Sequence, residues 1–312
     1  MDNAKAMVMG AFVGDALALG AHWIYDTGAI RDRIGVVDRL LDPPENGFHP
    51  NRCKGQQTHY GDQMFWLLTY LAENGGFDAD EFGAFWQSRF TDYDGYRDRA
   101  SKTTMANLEG GAAPLQAGSN SDDLSGAARI APLVYRYAGE AGHLAEHAKH
   151  QTMLTHNHPL VIQAADFFSA LLLQVFDGTS PAAAIAALAQ GRFDGTPLAD
   201  MARQGLDSLE IDTTVTIGRF GQMCNAAAGF PAVVHLVGRY ENDIKQALVA
   251  NVMAGGDSAA RGMAVGMILG AHLGMTAIPT DWVGGTVLAE PVYERLAIID
   301  RRLPSNDAVD GA

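Results

Sequence analysis

The sequence predicts an all-α protein, and three observations carry that reading. Apolar residues recur at three- and four-residue spacing, as at Phe82, Phe85, Trp86 and Phe90, the period of one helix face. No run of alternating β-branched residues reads as a strand, and no strand–helix alternation marks a doubly wound sheet. No low-complexity linker divides the chain, so residues 1–312 are expected to form a single domain.

The helices follow in order. Residues 4–20 are apolar with small residues and read as the first. Residues 28–58 are rich in Pro, Gly and polar residues and read as a long loop or lid. A helix is expected from Asp62 to Glu73, with Asp62 as its cap and Asn74-Gly75-Gly76 as its stop. Residues 79–90 form the next, and helix resumes from Ser101. Residues 110–126 make a second loop of Gly, Ser and Asp. Residues 127–138 and 141–153 read as helices, and His158-Pro159 opens another that ends near Phe176. Pro181 stands at the start of a helix over 181–190. Helices over 216–236, 241–254 and 258–274 complete the pattern.

Composition narrows the function classes. Lys plus Arg is 22 and Asp plus Glu is 36, a net charge of −14. That disfavours a general nucleic-acid surface, which needs positive charge against phosphates. Charged residues are 19% and hydrophobic residues 47% of 312, enough to bury a sizeable core. The low charge is compatible with a homo-oligomer. Cys53 and Cys224 alone make neither a disulfide framework nor a cysteine zinc site, so a reducing cytoplasm is the expected location. Asp2 and Asp15 interrupt the N-terminal apolar run and argue against a signal peptide. The 17-residue stretch 262–278 falls short of a bilayer span and reads as a buried core helix.

Glycine is over-represented, 35 of 312 residues. Gly262, Gly266, Gly270 and Gly274 fall four apart and share one helix face. Each glycine inside a helix costs about 1 kcal/mol relative to alanine. A second helix crossing at short range would offset that cost, and Gly10 and Gly14 offer the matching stripe.

Five polar clusters could carry chemistry. Gly255-Gly256-Asp257-Ser258 with Arg261 precedes the glycine helix, where Asp257 could cap it or stand as a carboxylate at a pocket edge. His59, Tyr60, Asp62 and Gln63 open another helix. Asp15, His22, Trp23, Tyr25 and Asp26 form a third group, and a carboxylate inside an apolar helix is costly unless paired or metal-bound. His156-Asn157-His158 before Pro159 could cap a helix, touch a substrate or hold a metal. Asn51, Arg52 and Lys54 could meet a phosphate or carboxylate from the long loop. No HExxH, GxSxG or Walker A sequence is present.

In combination these motifs resemble the ADP-ribosylglycohydrolase superfamily, and the pattern is similar to its J1 crystallin branch. Gly14-Asp15-Ala16-Leu17 looks like the opening GDALG. His59 to Met64 stands where a Thr-Asp-Asp metal motif precedes Gln-Met. Thr155 to Pro159 is similar to a central THxHP. Gly255 to Ala260, then Ala277-Ile278-Pro279 and Trp282, looks like GGDTDT followed by AIP and Trp. The resemblance spans about residues 6 to 290 and implies a compact, orthogonal multi-helix bundle. In active members it implies two Mg²⁺ or Mn²⁺ ions that bind ribose hydroxyls and a water. Here the Thr-Asp-Asp positions fall on His59, Tyr60 and Gly61, and the second late aspartate falls on Ala259.

The expected function is hydrolysis of an N-glycosidic or related bond in a small, ribosyl-type molecule, around a degenerate two-metal site. Asp62 or Asp257 would serve as base, and His59 or His158 as acid. His22, Arg52, Tyr60, His156, Asn157 and Arg261 would contact substrate. Asp15, Asp62 and Asp257 would hold any Mg²⁺ or Mn²⁺. Two other readings stay open: a non-catalytic binding or structural protein, and an Mg-dependent ADP-ribosyl hydrolase with rearranged ligands. No nucleic-acid or membrane partner is expected.

Overall fold

The computed structural model describes residues 2–303; residue 1 and residues 304–312 of the expected domain lie outside them. All regular structure among the described residues is helical, with two isolated bridges, Ser119 to His156 and Asp123 to Asn225.

Two helices make the centre. Asp2–Ala18 lies along Ser258–Leu273, the most extensive helix pairing in the molecule. Every residue from Ala6 to Ala18 is buried, and so is every residue from Ser258 to Ala271. A helix apolar all round belongs inside the core. His59–Asn74 and Ala131–Tyr137 flank the first helix, and Ala226–Arg239, Ile244–Met253 and Pro159–Phe176 flank the second. Asp2–Ala21 and Pro159–Phe176 are long and apolar enough to cross a membrane by length and composition, and their most apolar 18-residue stretches are 89% and 61% buried inside the protein.

The glycine stripe explains how closely the central pair packs. A Cβ on Gly14 would fall on the Gly262 carbonyl, and one on Gly10 on the Gly266 carbonyl. Gly270 meets the Ala6 carbonyl in the same way. Gly274 does not continue the stripe. It caps the helix at φ 78°, a conformation that favours glycine, and faces Asn3.

Other boundaries shift for local reasons. Thr58, not Asp62, caps the third long helix, its side chain accepting from the Tyr60 N–H, so the helix begins at His59. The long loop is interrupted by the short helix Thr27–Arg33, capped by Asp26 through the Gly28 and Ala29 N–H groups. The helix expected over 216–236 breaks at Gly221, whose φ of 105° ends Thr213–Phe220 before Ala226–Arg239 begins. Pro197–Leu206, opened by the Thr196 cap, was hidden behind polar residues in the sequence.

Candidate active site

The centre of the site forms where four segments meet at the end of the glycine helix. Gly255 and Gly256, at φ 71° and 70°, turn the chain so that Asp257 caps Ser258–Leu273. This turn is bonded on two sides. The Trp23 N–H donates to the Gly256 carbonyl at 2.9 Å, and the Gly256 N–H donates to the Ile24 carbonyl at 2.8 Å. The Asp257 N–H donates to the Gln222 carbonyl at 2.9 Å. Next to it, loop 119–124 is tied to loop 221–225: the Leu124 N–H donates to the Cys224 carbonyl at 2.8 Å and the Ala226 N–H to the Asp122 carbonyl at 2.7 Å.

These ties bring two buried carboxylates onto one phenol. Tyr60 Oη lies 3.1 Å from Asp123 Oδ2 and 3.0 Å from Asp257 Oδ2. The Trp23 indole N–H donates to the same Asp257 oxygen at 3.1 Å. Burial, with the Asp257 charge next in order, raises the Asp123 carboxyl to about 7. Burial also pushes the Tyr60 phenol well above its ordinary value. Trp23 is the one non-glycine residue with positive φ among the described residues, at 64°. Bulky residues rarely adopt that conformation, and such strain persists where the surroundings over-determine it.

Beside the carboxylates lies a wall of imidazoles and aromatic rings. His22 stacks on Trp23 at 4.3 Å, and His49 lies 5.6 Å from Trp23 and 5.7 Å from His59. Tyr96 and Phe48 pack edge-on against Trp23. His22, His49 and His59 are all buried, and none of their six ring nitrogens has a hydrogen-bond partner. Burial drives the His22 and His49 imidazoles far below their ordinary value, helped by neighbouring histidines, so both are neutral. Asp98 Oδ2 is 3.7 Å from His59 Nε2. Burial acts to raise Asp98, but His59 and the hydrogen bond to Ser101 outweigh it and hold it below the ordinary carboxylate range.

Metal-ligating atoms gather in two groups that share Asp123. Ligand atoms of Asp98, Asp123 and His156 lie within 4.8 Å of one another, and so do those of Asp123, Cys224 and Asp257. Thr155 Oγ1 is 2.8 Å from His156 Nδ1, and Nε2 has no partner. Burial lowers the His156 imidazole to about 3. Burial and the Asp123 carboxylate push the Cys224 thiol up.

Of the residues singled out in the sequence, His22, His59, Tyr60, His156 and Asp257 stand in this centre. The others hold it from outside. Asp15 accepts from Thr58 N at 2.7 Å and from Thr58 Oγ1 at 2.6 Å, and the Gln57 amide, oriented to donate, reaches it at 3.0 Å. Burial raises its carboxyl to about 7 against those bonds. Asp62 accepts from Arg52 Nη2 and from the Tyr93 hydroxyl, both at 2.7 Å. Arg261 is buried and donates from Nε to Asn251 Oδ1 at 3.0 Å and from Nη2 to the Gly255 carbonyl at 2.5 Å, while its Nη1 has no partner. His158 caps Pro159–Phe176, accepting from the Leu160 N–H, and the Asn157 N–H donates to the Ser119 carbonyl at 2.8 Å.

Sequence reasoning passed over His49, Asp98, Asp123, Cys224 and Arg129. Asp98 had a signal, since it precedes Arg99 as a helix cap. Asp123 sits in the Gly/Ser/Asp loop with no local periodicity to mark it. Arg129 is buried with Gln63 and Thr155 as its partners.

An all-helical body with a centre of buried carboxylates and imidazoles beside one half-buried thiol defines the class. The family follows from comparison: the ADP-ribosylglycohydrolase family profile matches residues 1–307. The chain belongs to that family. It is 27% identical to crystallin J1A of Tripedalia cystophora over 305 residues, covering 91% of this chain and 92% of the crystallin. Crystallin J1B of the same organism is 26% identical over 321 residues, 97% of each. A solved structure described as an ADP-ribosylglycohydrolase-related protein complex superimposes with a TM-score of 0.78 at 20% identity, over 96% of this chain and 98% of that one. That likeness carries the fold.

Proposed function

We propose that this protein hydrolyses an N-glycosidic or related bond in a small, ribosyl-type molecule. The Tyr60 phenol carries the reading. It has one proton and two carboxylate neighbours, Asp123 and Asp257. The second contact is a hydrogen bond when Asp123 holds a proton of its own, in accord with a carboxyl raised to about 7. Asp123 is then the acid and Asp257 the base, a division of labour between two carboxyls set by environment. In the step, the carbon–nitrogen bond breaks and the leaving nitrogen takes the Asp123 proton. Water bonds to the sugar carbon and gives its proton to Asp257. The neutral His22 and His49 rings, with His59, offer unpaired nitrogens to sugar hydroxyls, and Trp23 forms a flat wall.

The resemblance implies paired Mg²⁺ or Mn²⁺ in active members, and that arrangement fits poorly here. The motif positions hold His59, Tyr60 and Gly61, and a Cβ at Gly61 would come within 2.5 Å of the side-chain ends of Asp15 and Gln57, so a carboxylate there would require both to move. A cation-assisted variant of the same hydrolysis draws support from the two groups around Asp123. Their imidazole and thiol suit a softer ion such as Zn²⁺ better than Mg²⁺ or Mn²⁺. There Asp98, Asp123 and His156, or Asp123, Cys224 and Asp257, would hold the ion, which would supply a polarised water.

The test is a hydrolysis screen over N-ribosides and ADP-ribosyl compounds, with and without Mg²⁺ and Mn²⁺. Asp123→Asn and Asp257→Asn should each lower kcat/KM by about 10² to 10⁴. Turnover that survives both substitutions would overturn the assignment. No turnover of any compound would favour a non-catalytic role, as the crystallin names of the two relatives allow.

A further inference from the structure

A second group of metal-ligating side chains lies on the outside of the molecule, on the helix Ala141–Thr155 and its Glu140 cap. Glu140, His143, His147 and His150 are spaced three, four and three apart, so they share one face. His143 and His147 stand one turn apart with rings nearly parallel, 20° between planes and 5.9 Å between centroids. The two are oriented differently. His143 Nδ1 is bonded to Glu140 Oε2 at 2.8 Å, and Glu140 is held in turn by Arg136 at 3.1 Å. His147 is wedged against Tyr137 and Phe77, at 4.7 and 5.3 Å, and its Nδ1 is buried without a partner.

We propose that His143 and His147 form a surface site for a divalent transition-metal ion of the zinc and copper class. Two histidines four apart on a helix are a recurrent chelating pair. A carboxylate on the far ring nitrogen fixes the tautomer and leaves Nε2 free as the ligand, the arrangement Glu140 gives His143. The fixed His147 ring supplies the rigid half. The His143 side chain is 64% exposed and can pivot toward it. His150 lies on the same face as a third donor, and the remaining positions are open to water. The site shares no residue with the Asp123 centre, so it stands whatever that centre does.

Copper is the sensitive probe because it heads the affinity order of divalent ions at nitrogen sites. The first equivalent of Cu²⁺ added to the full chain is expected to give an electron paramagnetic resonance spectrum with two equatorial nitrogens, displaced by Zn²⁺. His143→Ala, a change on an exposed side chain, should abolish that two-nitrogen signal. Glu140→Gln should weaken binding by about tenfold. A first equivalent whose spectrum is unchanged in His143→Ala, or no stoichiometric binding, would overturn the proposal.

Discussion

Arg52 reaches Asp62 at 2.7 Å across the boundary between the long loop and the helix His59–Asn74. The same guanidinium holds Asp94 at 2.9 Å on the outside. The two side chains of the inner pair are 10% and 17% exposed, so the pair pins the loop that carries His49 and Phe48 over the site.

Arg52→Ala should therefore cost about 3 kcal/mol, because it leaves the Asp62 carboxylate buried without its charge partner. Asp62→Asn should cost less, since Arg52 keeps Asp94. Urea denaturation of the two variants checks the order, and a larger loss in Asp62→Asn would contradict it.

The glycine contacts predict three different outcomes for one chemical change. Gly14→Ala drives a methyl group into the Gly262 carbonyl and should destabilise by about 3 kcal/mol or more. Gly274→Ala meets only Asn3 but has φ 78°, and should cost about 1–2 kcal/mol. Gly218 lies inside Thr213–Phe220 with nothing within 4 Å of an added Cβ. Gly218→Ala should stabilise by about 0.5–1 kcal/mol. Equal losses at all three positions would refute the packing account.

Acid sensitivity follows from the buried imidazoles. His22, His49 and His156 are lowered in the folded protein, His156 to about 3. Unfolded histidine titrates near about 6.5, so below that value the unfolded chain binds protons that the folded chain refuses. Their contribution is full above about pH 6.5 and is lost as pH falls toward 3. Asp123 and Asp15, raised to about 7, act in the opposite sense between about pH 4 and 7. The Asp62 carboxyl is raised as well, and His235, lowered to about 4, and His147 join the imidazoles, so five imidazoles oppose three carboxyls and Tm should fall from pH 7 to pH 4. His49→Asn should flatten that slope, and an unchanged slope would count against it.

If Asp123 and Asp257 share the work of hydrolysis, Tyr60→Phe should lower the basic limb of the pH profile of kcat/KM. In that reading the phenol, 3.1 Å from Asp123 and 3.0 Å from Asp257, accepts from protonated Asp123 and donates to Asp257. Without that acceptor Asp123 gives up its proton at lower pH, and the basic limb moves down. A basic limb that stays in place would mean the phenol does not accept from Asp123.

Much of the fold was legible because helical periodicity and glycine spacing are local signals. The stripe Gly10 and Gly14 could be offered as the partner of the Gly262 stripe because both have the same four-residue step, while the register, Gly14 against Gly262, is visible only in the structure. The site was legible where a motif stood at a helix end, as at Tyr60 and Asp257. Asp123 and Cys224 were not, since their meeting depends on two irregular loops tied by backbone hydrogen bonds, which leave no pattern in side-chain order. The Arg52 partner of Asp62 was not legible, because a carboxylate at a helix start reads alike whether it faces a pocket or an arginine from a distant loop. Helices broken by a positive φ, as at Gly221, also leave little trace in hydropathy.

The pairing of Asp2–Ala18 with Ser258–Leu273 has a consequence for synthesis. Residues 19–257 lie between the two helices, and at about 5–20 residues per second their synthesis takes on the order of tens of seconds. Throughout it, a largely apolar helix must stay soluble without its partner. The nascent protein is thus most exposed to misassociation and to chaperone capture at Asp2–Ala18. Its core closes only when Ser258–Leu273 arrives.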